Sequence, residues 1–459
     1  IWITLFLLAR PGGSQPALGL AHLAAGEAQP AEGGAPAAAP SRTVVARVDF
    51  SSQAELNRLA QTLDIWEVDH AAGYFLAQLT PLEWETLARG GFQLEIDARL
   101  SGLLDNPPSA LPGQVSGIPG FPCYRTVEET YAAIASLAAS RPDLAEVIDI
   151  GDSWEKTQPG GAAGYDLLAL RLTNEARPGP KPVFLLMAEI HAREYTTAEL
   201  ALRFGEWLVQ RYGIDPEVTW LLDYSEVHLL PMTNPDGRKL AETGQSWRKN
   251  TDNDDGCDWA SSWGVDLNRN HSFKWGGASN WACDPTYQGP SPASEPETQV
   301  IQAYAASLFA DQRGAGDNDP APDTTSGVFI TLHSYSRLVL FPWGWSPDQA
   351  PNHRALETLG RKFGFHNRYQ VCQSGEPGCI YATTGTSDDW AYGELGTAFF
   401  ESCANFENTI LPTNLPALAY AFKAARQPYL DPAGPETLNL AAYKATIASG
   451  LDFKLSDYS

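Results

Sequence analysis

An apolar run over residues 183–190 reads as a buried strand and leads directly into His191-Ala192-Arg193-Glu194. The strand end thus delivers an imidazole and, three residues later, a carboxylate. An open Zn²⁺ site takes three such protein ligands and keeps its fourth position for water. His333, which closes a second apolar run in Thr331-Leu332-His333-Ser334, supplies the third ligand. Open α/β sheets place their ligand sites at the carboxyl ends of strands. The pattern therefore predicts a zinc hydrolase holding one ion. Taken alone, His-x-x-Glu is weak: the chain has eight histidines, and the motif also fits a strand-end histidine beside a first-turn acid. Thr196 and Glu199 read as a capping box for the next helix.

The surrounding pattern predicts an α/β fold, a mixed central β-sheet sandwiched by helices and preceded by a small α+β domain. Strand candidates are 146–150, 167–172, 183–190, 226–231, 328–333 and 338–341, alternating with helix candidates 127–139, 196–211, 295–308, 352–363 and 416–426. Residues 43–98 form the α+β unit, with Thr80-Pro81-Leu82-Glu83 opening one of its helices. Residues 1–42 read as the apolar core of a signal peptide followed by a disordered Ala/Gly/Pro-rich linker. Residues 99–120 are a Pro/Gly-rich linker open to proteolysis, 121–430 the catalytic domain, and 431–459 the truncated start of a C-terminal module or a tail.

The chain carries 31 basic and 55 acidic residues, a net charge of −24. Such a surface repels nucleic acid phosphates and anionic membranes, so neither is expected as a partner. The six cysteines contain no CxxC pair, which points to disulfides and an extracellular location rather than a thiolate metal site. A monomer is expected.

Further blocks occur in order: Asn234-Pro-Asp-Gly237, Trp247-Arg-Lys249, Gly264-Val-Asp-Leu-Asn-Arg-Asn270, His333-Ser-Tyr335, Phe341-Pro-Trp-Gly344, and Ile380-Tyr381 with Asp388-Asp-Trp390. Over roughly residues 120–430 the chain resembles the zinc metallocarboxypeptidases of the A, B and T types, in a secreted bacterial form with an N-terminal pro-segment. The resemblance implies an enzyme acting on peptide or protein C-termini. It assigns His191, Glu194 and His333 to zinc and Arg248 to the oxyanion. Asn268 and Arg269 would clamp the substrate's terminal carboxylate, where a guanidinium fork meets a carboxylate in two parallel hydrogen bonds. Tyr381 would close over the bound terminus, and Arg193 adds positive charge near the cleft. Asp388 falls where the side-chain pocket is decided, implying basic or mixed basic/apolar preference. Residues 43–98 resemble the family's pro-segment, which caps the cleft until cleaved. Cys257–Cys283 resembles a family disulfide; Cys379–Cys403 and Cys123–Cys372 are guesses.

The resemblance breaks at the general base. The family ends a central strand with this glutamate, but Ala391-Tyr-Gly-Glu-Leu-Gly396 here runs straight into Thr397-Ala-Phe-Phe-Glu-Ser-Cys403. Either Glu394 is the base, with the preceding strand missing, or Glu401 is, after an even shortening that keeps side-chain facing. Local similarity favours Glu394. Loss of a central strand would leave backbone groups unpaired. Two rival functions remain: a catalytically impaired peptide-binding protein on the same scaffold, and a related zinc amidase acting on cell-wall peptides.

Overall fold

The computed structural model describes residues 2–6, 39–160, 164–257, 262–314, 316–334, 337–391 and 403–430, with backbone alone at 2–6 and at Asp388. Most of segment 1–42 and all of 431–459 lie outside the described residues. The strands are β1 (Trp2–Phe6), β2 (Val44–Asp49), β3 (Asp64–Asp69), β4 (Tyr74–Leu79), β5 (Leu94–Ile96), β6 (Ala145–Asp152), β7 (Asp166–Leu172), β8 (Val183–Ala188), β9 (Glu226–Leu230), β10 (Val328–His333), β11 (Leu338–Phe341) and β12 (Gln370–Gln373). They build an 8-stranded sheet in the order β12-β11-β1-β10-β8-β9-β7-β6 and a 4-stranded sheet in the order β3-β4-β2-β5.

The large sheet is mixed: β8 runs parallel to β9 and β10, whereas β6 and β7 are antiparallel. Its central strands are apolar on both faces because both are covered, and successive side chains alternate between the covers. Phe184, Leu186 and Ile330 face the layer of helices Tyr195–Arg211 and Leu411–Ala424, where Phe184 stacks on Phe422 at 5.7 Å. Leu185, Met187 and Phe329 face helix Pro296–Leu308 through Ile301 and Ala305. The α/β expectation is met in this sandwich.

Trp2–Phe6 lies in the large sheet, parallel to β10 and antiparallel to β11. Its hydropathy suits a secretion signal, yet an apolar run with high β-propensity equally satisfies backbone groups along the facing edges of β10 and β11, whose other edges pair with β8 and β12. In the small unit, Thr80 and Glu83 form the expected capping box on helix Pro81–Arg89. The stretch read as a linker opens with a helix, Ala98–Asp105, whose Leu100 packs on Val45 and Trp66.

Helix Tyr195–Arg211 is not capped as expected: Glu194 takes the N-cap position with no side-chain capping bond. Thr196 instead hydrogen-bonds the Tyr124 hydroxyl at 3.0 Å, and Glu199 pairs with Arg125 at 3.2 Å. The disulfides are Cys123–Cys403, Cys257–Cys283 and Cys372–Cys379. The middle one matches the resemblance; the guessed Cys379–Cys403 and Cys123–Cys372 are overturned. After β12 the chain turns back through Glu376, which accepts the Gln373 N–H on its side chain and the Cys379 N–H on its carbonyl. That turn brings Cys379 to Cys372 with Cα atoms 5.9 Å apart.

A buried polar layer supports the central loops. Asn250 accepts the Val265 N–H at 2.8 Å and donates to Glu295 at 2.7 Å and Glu297 at 3.3 Å. Burial pushes the Glu297 carboxyl up to about 7. A carboxyl raised in the folded state favours folding below its unfolded value, and loses that contribution as pH rises through the folded value. The contribution of this group to stability is therefore expected to fall between about pH 5 and pH 8. Glu297→Gln should flatten this fall by roughly 2 kcal/mol, read from urea denaturation at the two pH values. Equal pH slopes in the two proteins would contradict the assignment.

Candidate metal centre and cleft

The metal centre rests on a register. Strands β8 and β10 are adjacent and parallel, with Leu332 opposite Ala188, so both end at one edge. Glu189 then turns the chain at φ 55°, a left-handed conformation that costs a side-chain-bearing residue about 1–2 kcal/mol. Its buried carboxylate is held by Arg238 Nη1 at 2.7 Å, and Arg238 lies 4.4 Å over the Tyr195 ring. Asn234 Nδ2 donates to the carbonyls of Ile190 at 3.2 Å and Lys249 at 3.0 Å. Ala192 N–H donates to the Arg248 carbonyl at 3.1 Å. These bonds stitch the turn to the segment carrying Arg248. A Cβ on Gly237 would sit 2.4 Å from the Lys249 carbonyl, so this approach requires glycine.

At the end of that turn His191 Nδ1 lies 2.8 Å from Glu194 Oε1, and His333 Nδ1 lies 3.2 Å from Glu194 Oε2. The two Nδ1 atoms are 3.2 Å apart. All three side chains are buried, and one donor atom from each falls within 4.8 Å of the others. Two imidazole nitrogens and a carboxylate pointing at one another away from water form a donor set for a cation, and their types suit a single Zn²⁺. Burial pushes His333 down to about 4 against the pull of Glu194, so its imidazole is neutral at pH 7. Burial pushes Glu194 upward, but His191 and His333 override it and hold the carboxyl at about 2. Both are then in the form that a metal requires.

Behind the ligands stands Asp266, to which the sequence reading gave no role although it lies in the 264–270 block. Its Oδ1 is 3.3 Å from His191 Nε2 and accepts the Asn268 N–H at 3.0 Å. Its Oδ2 accepts Arg248 Nε at 3.0 Å and Nη2 at 2.8 Å. Burial disfavours the charge on Asp266, yet Arg248, Arg269 and His191 hold its carboxyl well below the usual range. A carboxylate on the far nitrogen of a ligating imidazole fixes the ring's tautomer and orientation. The available signal was an acid two residues before Asn268-Arg269.

Asn268 Nδ2 lies 3.4 Å from His333 Nε2, and its Oδ1 accepts the Ser387 N–H at 2.9 Å. Arg269, also buried, donates from Nη1 to the Asn268 carbonyl at 2.7 Å. Asn268 thus ties the metal group to helix Ser387–Ala391, which carries Asp388. The Asp388 side chain, Glu394 and Glu401 lie outside the described residues.

The N-terminal unit covers two of the remaining candidates. Arg193 Nη2 donates to Asp64 at 2.7 Å, with both side chains only 4 % exposed, and the guanidinium sits 5.7 Å from the Trp66 ring. Tyr381 is buried in a cluster with Leu56, Leu59 and Phe75. Gln53 donates to the Ile380 carbonyl at 2.9 Å, and Asn57 accepts the Ala382 N–H at 3.0 Å. The loop around Tyr381 is thereby gripped from both sides.

Comparison with known proteins agrees with this geometry. The zinc carboxypeptidase family profile matches residues 130–413. Carboxypeptidase A2 of Mus musculus is 35% identical over 292 residues, covering 61% of this chain and 61% of the relative. Carboxypeptidase B of Astacus astacus is 30% identical over 312 residues, covering 63% of this chain and 92% of the relative. The chain thus spans about three-fifths of the length of the mouse enzyme. These relatives are animal proteins, so the bacterial form read from the sequence is not supported. The carboxypeptidase A structure from Helicoverpa armigera superposes with a TM-score of 0.62 at 20% identity, over 84% of this chain and 97% of that one, and shares the fold. With its His-Glu-His group at the ends of two parallel strands and the family profile over most of its length, the chain belongs to the zinc carboxypeptidase family.

Proposed function

We propose that this chain is a secreted zinc carboxypeptidase, made with a cleft-capping N-terminal unit, that hydrolyses the last peptide bond of peptides and proteins. The observation that carries this reading is the convergence of His191, Glu194 and His333 beside Arg248, Asn268 and Arg269. Zinc at such a site supplies Lewis acidity toward a carbonyl and a lowered pKa for water. The protein's own groups do the rest. Arg248, oriented by Asp266, places a fixed positive charge where the carbonyl oxygen gains charge, and such a charge is worth most in a water-poor cleft. Arg269 and Asn268 receive the terminal carboxylate, which restricts cleavage to chain ends. Glu394, or alternatively Glu401, takes the proton from the attacking water. Asp388 pairs with a basic substrate side chain, and apolar termini are accepted as well. Tyr381 swings over the bound terminus once the N-terminal unit has left. Three disulfides support an extracellular setting.

Chelation of the cleaved protein should abolish release of C-terminal residues, and added Zn²⁺ should restore it. Glu194→Ala should hold far less than one zinc per chain by elemental analysis. Turnover that is indifferent to chelators would end the reading. Amidating the substrate's C-terminus, or replacing Arg269 by Gln, should lower kcat/KM by roughly 100-fold, the loss of one charge-assisted contact. Hydrolysis of amidated and free peptides at equal rates would favour the amidase instead. Glu394→Gln should retain zinc and lose about 10²–10⁴-fold in kcat, with Glu401→Gln near wild type. The reverse outcome moves the base to Glu401. Tight peptide binding with no turnover in the wild type would mark an impaired peptide-binding protein.

A further inference from the structure

Between helix Ala98–Asp105 and the bridge formed by Ile118 and Phe121, residues 106–117 have neither helix nor strand. Both ends of this connection are fixed. On the N-terminal side Ser101 Oγ accepts the Val45 N–H at 2.9 Å and donates to the Val45 carbonyl at 3.2 Å. On the C-terminal side Gln114 Oε1 accepts the N–H groups of Leu111 and Gly120, each at 3.0 Å. Gln114 Nε2 donates to the carbonyls of Ser116 at 3.0 Å and Ile118 at 2.8 Å. Glu129 accepts the Gly117 N–H at 3.0 Å, and the Cys123–Cys403 disulfide anchors the chain a few residues further on. Among the described residues no backbone–backbone hydrogen bond involves Pro107, Pro108, Ser109 or Ala110. Ala110 and Leu111 are exposed, and the Val115 side chain is 97% exposed.

The composition of this connection is as telling as its exposure. Residues 100–124 contain no lysine and no arginine. The nearest basic residues are poor targets for cleavage. Arg99 lies within helix Ala98–Asp105. Arg125 is part-buried, paired with Glu199 at 3.2 Å and Glu206 at 2.8 Å, and its carbonyl is bonded to Arg238. Endopeptidases cut exposed loop tips whose backbone is free to enter their cleft. The Leu111–Pro112 bond has no N–H to offer. Of the exposed positions, Ala110 ends the run without backbone–backbone bonds and Val115 presents the most exposed aliphatic side chain of the connection. The Leu111 N–H and the Ser116 carbonyl beside these bonds are held by the Gln114 side chain, which a protease must displace.

We propose that the N-terminal unit is released by an endopeptidase that reads a small or aliphatic side chain, cutting after Ala110 or Val115, and not by one directed at lysine or arginine. The cut is a hydrolysis: the peptide C–N bond breaks, and one water gives its hydroxyl to the new carboxylate end and its proton to the new amine. The proposal rests on the reading that this unit caps the cleft. A cut at either bond leaves residues 118–124 on the catalytic unit. Tyr124 then keeps its 3.0 Å bond to Thr196, two residues from the ligand Glu194.

The test treats the full chain with an elastase-type protease and, in parallel, with trypsin. Cut sites are mapped by N-terminal sequencing and intact mass, and release of the last residue from a free-ended peptide is monitored. The elastase-type protease should cut first after Ala110 or Val115, while trypsin leaves 100–124 intact. Val115→Arg should make the connection sensitive to trypsin at that position. A first elastase cut elsewhere, a first tryptic cut at Arg99 or Arg125, or a Val115→Arg chain that trypsin ignores would overturn the proposal. Activity separates the two readings. A rise of at least tenfold on cutting supports the capping role, whereas a correctly mapped cut with no rise would refute capping and leave the cleavage site standing.

Discussion

The parallel pairing of β8 with β10 is the constraint on which the metal centre depends. Two neighbouring strands in register must end at the same edge, so His333 at the end of β10 and His191, three residues past the end of β8, meet without any long excursion of the chain. The cost is a left-handed turn at Glu189, a residue with a side chain, in a fully buried setting. Arg238 meets that demand with an ion pair, and the ring of Tyr195 lies beneath the guanidinium. Strain of this kind persists only where the surroundings over-determine it, and it is concentrated here beside the ligands.

Asp266 joins the remaining parts into one electrostatic unit. A single buried carboxylate faces a ligand imidazole on one oxygen and the Arg248 guanidinium on the other. In a low-dielectric interior, removing either partner would leave an uncompensated charge, so His191 and Arg248 are held in fixed relation. Asn268 adds a neutral link, touching His333 with its amide nitrogen and the start of helix Ser387–Ala391 with its oxygen. The N-terminal unit engages the same surroundings through Asp64 on Arg193 and through Gln53 and Asn57 on the Tyr381 loop. It therefore meets Arg193 with charge and the Tyr381 loop with hydrogen bonds.

Much of this was legible in the chain. The apolar strands leading to His191 and His333 were readable because continuous apolar runs mark strands covered on both faces, although β8 stops at Ala188, before the turn at Glu189. The Thr80–Glu83 cap was readable because its spacing is local. Asp266 was passed over because its partners lie 75 residues before and 18 residues before it, and a lone acid in a polar turn has no local signature. The capping box at Thr196 failed for a related reason: Tyr124 and Arg125, distant in sequence, claimed its two side chains. Trp2–Phe6 shows a further ambiguity, since a short apolar run satisfies the hydropathy of a secretion signal and of a buried strand alike.

The sequence by itself determined the α/β class and the two apolar strands that lead to His191 and His333, because these arise from periodicity, and it offered imidazole and carboxylate as donors because of their chemistry. Only the tertiary structure decided which cysteines pair, which carboxylate orients His191, and which side chains the N-terminal unit covers. Each of those is set by proximity between residues remote in the chain, and proximity arises only once the sheet register and the packing of its helices have been fixed.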